Sequence, residues 1–147
     1  MIMTVQVVRD AMVPEPTMLG DGASAQEAGA CLGENPEIRA IFVVAGDGRL
    51  VGVITRKTLA REVLAAGRDP QAVRLGEIAE PPLFTLDAAL PLEEAFHTLE
   101  ERDLERVPVV EEDKLVGVLS RAVVQRRLAE DEPPEPEPDP DAGALVL

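Results

Sequence analysis

Leu50-Val51-Gly52-Val53-Ile54-Thr55-Arg56 returns 65 residues later as Leu115-Val116-Gly117-Val118-Leu119-Ser120-Arg121. Ile41-Phe42-Val43-Val44 precedes the first copy as Val107-Pro108-Val109-Val110 precedes the second. Further upstream, Glu27-Ala28 and Leu32 meet Glu94-Ala95 and Leu99, and Asp10 and Pro14 meet Glu77 and Pro81. The offset drifts by one or two residues where loops change length. Nearly the whole chain is duplicated, and a duplicated unit predicts a duplicated site.

Each copy parses into the same order of elements. Ser24 with Glu27 three residues on has the form of a capping box, and Ala28 and Leu32 follow at helical spacing, which predicts a helix over 24–34. Residues 40–45 are a short β-branched run, Gly46-Asp47-Gly48-Arg49 supplies turn chemistry, and 50–54 is a second run, so the pair reads as a β-hairpin. Thr55 suits the N-cap of a helix reaching Ala66, with Gly67 as its stop. In the second copy Pro91 suits the first turn of a helix carrying Leu92, Ala95, Phe96 and Leu99. Residues 107–110 and 114–119 form the second hairpin, and Ser120 caps the last helix. Extended pieces near 17–19 and 83–86 add a strand to each sheet. The organisation is α+β, with a first repeat over 7–67, a linker over 68–74, a second repeat over 75–129 and a tail over 130–147. The tail alternates acid with proline and cannot build a core, which predicts disorder.

Composition narrows the function. The chain has 147 residues, 46% of them hydrophobic, with three phenylalanines and no tyrosine or tryptophan. Its core must be Val, Leu, Ile and Ala, and the shortage of aromatic faces speaks against a binder of single-stranded nucleic acid. The net charge of −14, half of it from the tail, repels nucleic-acid phosphates and anionic membrane surfaces. Cys31 and His97 are each the only residue of their kind, so one chain offers neither a disulfide nor a Cys/His zinc cage. Met1 to Val8 lacks the basic region and cleavage site of a signal peptide, and no stretch approaches the ~18–20 apolar residues of a membrane span. The expectation is a cytoplasmic protein. Glu93-Glu94 and Glu100-Glu101 sit on a helix where adjacent side chains point apart, a solvated face and not a catalytic pair. Gly46-Asp47-Gly48 fits a turn better than a phosphate cradle. The chain reads as no enzyme, with no catalytic cofactor and no metal.

The tandem of helix, hairpin and helix, each hairpin closed by Gly-aliphatic-aliphatic-Thr/Ser, resembles the CBS-domain pair, or Bateman module, over roughly residues 7–129. The resemblance implies two βαββα-type repeats related by a pseudo-two-fold axis, with clefts between them. It also implies a homodimer, an adenosine-containing regulatory ligand (AMP, ADP, ATP or S-adenosylmethionine) and an effector protein as target. By the same resemblance Thr55 and Ser120 stand where phosphate is held, Arg106 where phosphates can be reached, and Thr17 and Thr85 at the edge of a base pocket. There is a physical reason for such a site. A hydroxyl at a strand-to-helix junction sits among free amides at the positive end of the helix, and Arg56 or Arg121 beside it adds a guanidinium. The same residues also fit ordinary helix capping. Three residues after the hydroxyl the family carries an Asp or Asn for the ribose, where this chain has Thr58 and Val123. Threonine offers one hydrogen bond and valine none, and a ribose hydroxyl buried without a partner costs about 1–3 kcal/mol. That contrast favours the cleft of Thr55, Arg56 and Thr58. The alternative is a degenerate pair acting as a ligand-free scaffold through its surface or tail.

Overall fold

The computed structural model describes residues 6–14 and 16–131; of the tail expected over 130–147, Glu130 and Asp131 instead end the last helix, and the remainder with its expected disorder lies outside the described residues. In the first copy a short α1 (Val8–Ala11) leads into β1 (Val13–Pro14) and β2 (Met18–Gly20), followed by α2 (Ala25–Glu34), β3 (Ala40–Val44), β4 (Leu50–Thr55) and α3 (Arg56–Leu59). In the second copy α4 (Leu75–Ile78) precedes β5 (Leu86–Asp87), α5 (Leu92–Glu101), β6 (Arg106–Glu111), β7 (Lys114–Ser120) and α6 (Arg121–Asp131).

Local chemistry sets the boundaries. The amide of Glu27 donates to Ser24 Oγ at 3.2 Å, and the Ser24 amide donates to Glu27 Oε2 at 2.8 Å, the reciprocal box the sequence predicts. Pro91 is the residue that caps α5, one step before the first turn. The helix expected over 55–66 departs from regularity: after α3 the chain widens into a π-helical turn over Ala60–Leu64, where the Ala65 amide reaches back five residues to the Ala60 carbonyl at 2.8 Å. It stops at Gly67, whose φ of +68° is the left-handed conformation glycine adopts without cost. Both hairpins pair antiparallel and shift register at the same place, between Val43 and Val44 and between Val109 and Val110. The repeat therefore extends to its irregularities.

The two units in space are not the two units in sequence. Val8 and Ala11 of α1 lie in the core of the second copy, among Leu92, Leu99, Leu119 and Val124. Leu75 and Ile78 of α4 lie in the core of the first, among Ala28, Leu32, Ile41 and Ile54. Complete burial of a leucine such as Leu75 contributes about 1.5–3 kcal/mol, so each copy holds the other's leading helix by its apolar face. The strands exchange as well. β1 pairs antiparallel with β7, giving a sheet of order β1-β7-β6-β5. In the other half Glu80 takes the place of β1: its amide and carbonyl bond those of Val53 at 3.0 and 2.8 Å, beside a sheet of order β2-β3-β4.

This exchange explains the glycine of the repeated motif. A Cβ at Gly52 would lie 2.6 Å from the Glu80 carbonyl oxygen, and one at Gly117 would lie 2.8 Å from that of Val13. Only a residue without a side chain lets the exchanged segment approach. The hairpin tips close the other end, with the Leu50 amide donating to the Asp113 carbonyl and the Leu115 amide to that of Gly48, each at 3.1 Å.

A candidate ligand cavity between the repeats

Alternation along the hairpins turns matching side chains toward a common space. On the first hairpin the inward residues are Ile38, Ala40 and Phe42 before the turn and Val53 and Thr55 after it; on the second they are Leu104, Arg106, Pro108, Val118 and Ser120. These ten residues line one cavity of about 600 Å³, within the range of small-molecule sites. The segments ahead of β2 and β5 form its rim, with Pro16 and Thr17 on one side and Pro81, Pro82, Leu83 and Phe84 on the other.

The two halves match in shape and differ in chemistry. In the register of β6 and β7, Arg106 lies directly opposite Ser120; in that of β3 and β4 the matching pair is Ala40 and Thr55. Directly opposed residues on one face of an antiparallel pair have Cβ atoms roughly 5 Å apart, so a guanidinium and a hydroxyl face each other on the second hairpin, whereas on the first the lining cation is Arg39, next to Ala40. Neither the Arg106 nor the Ser120 side chain hydrogen-bonds or pairs with any other described residue. In the first half the hydroxyl is engaged. Thr55 Oγ1 lies 3.0 Å from Thr58 Oγ1 and accepts from the Thr58 amide at 3.2 Å, while the Thr55 amide donates to Thr58 Oγ1 at 3.3 Å. Glu80 lines that half and is ion-paired with Arg61.

Of the eight residues singled out in the sequence, the cavity gathers Thr17, Thr55, Arg106 and Ser120, and its lining does not include Arg56, Thr58, Thr85 or Arg121. Arg56 follows the inward-facing Thr55 and so turns the other way, donating to the carbonyls of Leu32 and Ile38, both at 2.7 Å, and of Asn35 at 3.3 Å. It closes the C-terminal end of α2, where carbonyls lack helical partners. Arg121 turns likewise and pairs with Asp103 at 3.3 Å and with Glu105. Thr58 is completely buried in its capping box. Thr85 is displaced by register: β2 pairs Leu19 with Val43 and β5 pairs Leu86 with Val109, which makes Phe84, not Thr85, the counterpart of Thr17. A shift of one residue puts a side chain on the opposite face. The lining residues not singled out in the sequence are mainly apolar: Ile38, Leu104 and Phe84 carry no motif, Phe42 enters only as one position of the strand repeat, and strand alternation alone could have pointed to them.

A CBS domain model matches the chain twice, over residues 8–65 and 75–130. Hypoxic response protein 1 of Mycobacterium tuberculosis is 33% identical over 122 residues, covering 83% of this chain and 85% of that protein. A crystal structure of Hypoxic Response Protein I with two coordinated zinc ions superposes with a TM-score of 0.67 at 31% identity, covering 82% of this chain and 98% of that one. One of CBSX2 in complex with AMP superposes with a TM-score of 0.65 at 25% identity, covering 84% and 96%. Among the described residues of this chain, no three His, Cys, Asp or Glu side chains come together as a metal site. No helix among them is long and apolar enough to cross a membrane.

Proposed function

The chain belongs to the CBS-domain family, and from that premise we propose that it is a non-enzymatic, cytoplasmic regulatory module that takes up one adenosine-containing ligand in the inter-repeat cavity. AMP, ADP, ATP and S-adenosylmethionine are the candidates, and the complex of CBSX2 with AMP supports the first of them. The observation that carries this reading is the opposed Arg106 and Ser120, a cation and a hydroxyl aimed into the cavity with no partner among the described residues. A phosphate there gains charge-assisted hydrogen bonds without displacing any existing one.

This choice puts the phosphate in the second half, whereas the sequence favoured the half with Thr55. Arg56 and Thr58 are committed to the backbone of their own copy, and the one lining cation of that half, Arg39, stands with two lining carboxylates, Glu37 and Glu80. Ligand acts by binding one arrangement of the two exchanged halves better than another, since equal affinity shifts nothing. The output then passes through a homodimer to an effector protein.

Isothermal titration with the four ligands tests the reading. The expected result is saturable binding of one molecule per chain, weakened by salt because part of the affinity is electrostatic. Absence of binding to all four at millimolar concentration would overturn it.

A further inference from the structure

The mouth of the cavity is rimmed by exposed apolar side chains. Leu83 is 92% exposed and Val13 is 56% exposed, with Pro16, Pro81 and Pro82 on the same lining. Large apolar side chains left in water together mark a docking surface. With them stand Arg39 and Arg106, the two cations of the lining, neither ion-paired with any other described residue. Most other arginines are committed: four are ion-paired and three donate to backbone carbonyls.

A surface of unpaired cation and apolar rim fits a segment that is acidic and then apolar, and this chain carries one. Residues 132–141 are five acids and five prolines, and Ala144-Leu145-Val146-Leu147 follow two residues later. The lengths match a return to the cavity. α6 begins at Arg121, directly after the lining residue Ser120, and its 11 residues carry the chain about 16 Å away. A proline-rich run extends about 3.1 Å per residue, so residues 132–141 span about 31 Å. Tethering holds such a segment at an effective concentration of about a millimolar, where weak contacts suffice. Resting on the reading of the cavity as a site for an anionic adenosine ligand, we propose that this tail is the site's built-in competitor: residues 135–141 set carboxylates against Arg106, and Leu145 and Leu147 cover Leu83 and Val13. Arg106 is the principal partner, because Arg39 stands with the carboxylates of Glu37 and Glu80. A ligand must displace the tail to enter, so the tail sets the concentration at which the module responds. A cavity held by the tail about four-fifths of the time binds ligand about fivefold more weakly than a free one.

Two measurements on the full chain test this. Calorimetric titration with AMP compares the parent with a variant carrying Glu135→Gln, Glu137→Gln, Asp139→Asn and Asp141→Asn together. The variant should bind about fivefold more tightly, and the gain should vanish when Arg106→Ala is added to both chains. Because the chain has no tryptophan, Leu145→Trp creates a single fluorophore that reports docking without any nucleotide. Its emission should be that of a shielded indole, should move to the red with Leu83→Ser and on addition of AMP, and should not depend on protein concentration. Equal AMP affinity in the parent and the four-fold variant would overturn the proposal, as would a solvent-exposed emission that Leu83→Ser leaves unmoved. A shift on dilution would overturn it too, by assigning the contact to a second copy. A shielded indole that responds to Leu83→Ser in a chain binding no AMP would instead support the docked tail and remove the nucleotide reading beneath it.

Discussion

Gly52→Ala measures how much of the fold depends on the exchange of segments between the repeats. The added methyl would sit 2.6 Å from the Glu80 carbonyl oxygen and 2.9 Å from the Ala79 Cβ. A carbon rests against a carbonyl oxygen at about 3.3 Å, so the Glu80 backbone must retreat by roughly 0.7 Å. Two hydrogen bonds join that backbone to Val53, and stretching both forfeits up to about 1 kcal/mol each. Overpacking adds about 1–3 kcal/mol. The sum is centred near 3 kcal/mol, which for a domain of this size lowers the melting temperature by about 10 °C. Circular dichroism through a thermal ramp reads it. Gly33→Ala is the control: the position lies inside α2 with nothing within 4 Å of its Cβ, so the change should stabilise by about 0.5–1 kcal/mol. If Gly52→Ala melts within about 2 °C of the parent while Gly33→Ala rises, the close approach is not what demands glycine, and the argument from the exchange fails.

Four further outcomes are expected. Arg106→Ala should weaken AMP about tenfold and flatten its salt dependence, whereas Arg121→Ala, which removes a cation already paired with Asp103 and Glu105, should leave titration curves almost unmoved. Arg56→Met should destabilise the chain by about 1–2 kcal/mol in urea melts without altering ligand affinity, because it uncaps α2 and does not touch the cavity. Thr58→Val leaves the Thr55 amide without its acceptor in a buried place and should cost about 1–3 kcal/mol by the same measurement. Finally, 2′-deoxy-AMP should bind at least as tightly as AMP, since Val123 gives a ribose hydroxyl no partner; a tenfold preference for AMP in competition titrations would show a sugar contact that the lining as described does not offer.

The fold was largely legible because its repeat is legible: matched hairpins, a capping box at Ser24 and the junction residues Thr55 and Ser120 are local signals, and the elements they mark stand within a few residues of their place, whereas α1, β1 and α4 were not foreseen. What escaped was whatever depends on a distant partner. Nothing near Val8 or Leu75 says that each will be buried in the other copy, since an apolar residue carries no address. The π turn after Leu59 is written in ordinary helix formers, with no glycine or proline to announce it. At the site, a hydroxyl next to an arginine looked like one constellation, but adjacent residues at a strand end face opposite ways, and so Arg56 and Arg121 leave the cavity that Thr55 and Ser120 enter. Thr85 resembled Thr17 by residue type, while register pairs Thr17 with Phe84. Residue identity was a poorer guide there than position in the pleat.

The exchange of α1 and α4 also bears on how the molecule is made. During synthesis α1 emerges well before the surface that receives it, which includes α5, β7 and α6, more than 80 residues further along the chain. The first copy cannot seal its core until α4 has followed it out. Contacts so distant in sequence slow folding and leave apolar surface waiting in the meantime. A segment made before its partners is therefore among the last to settle, and the two repeats reach their native state together, not one by one.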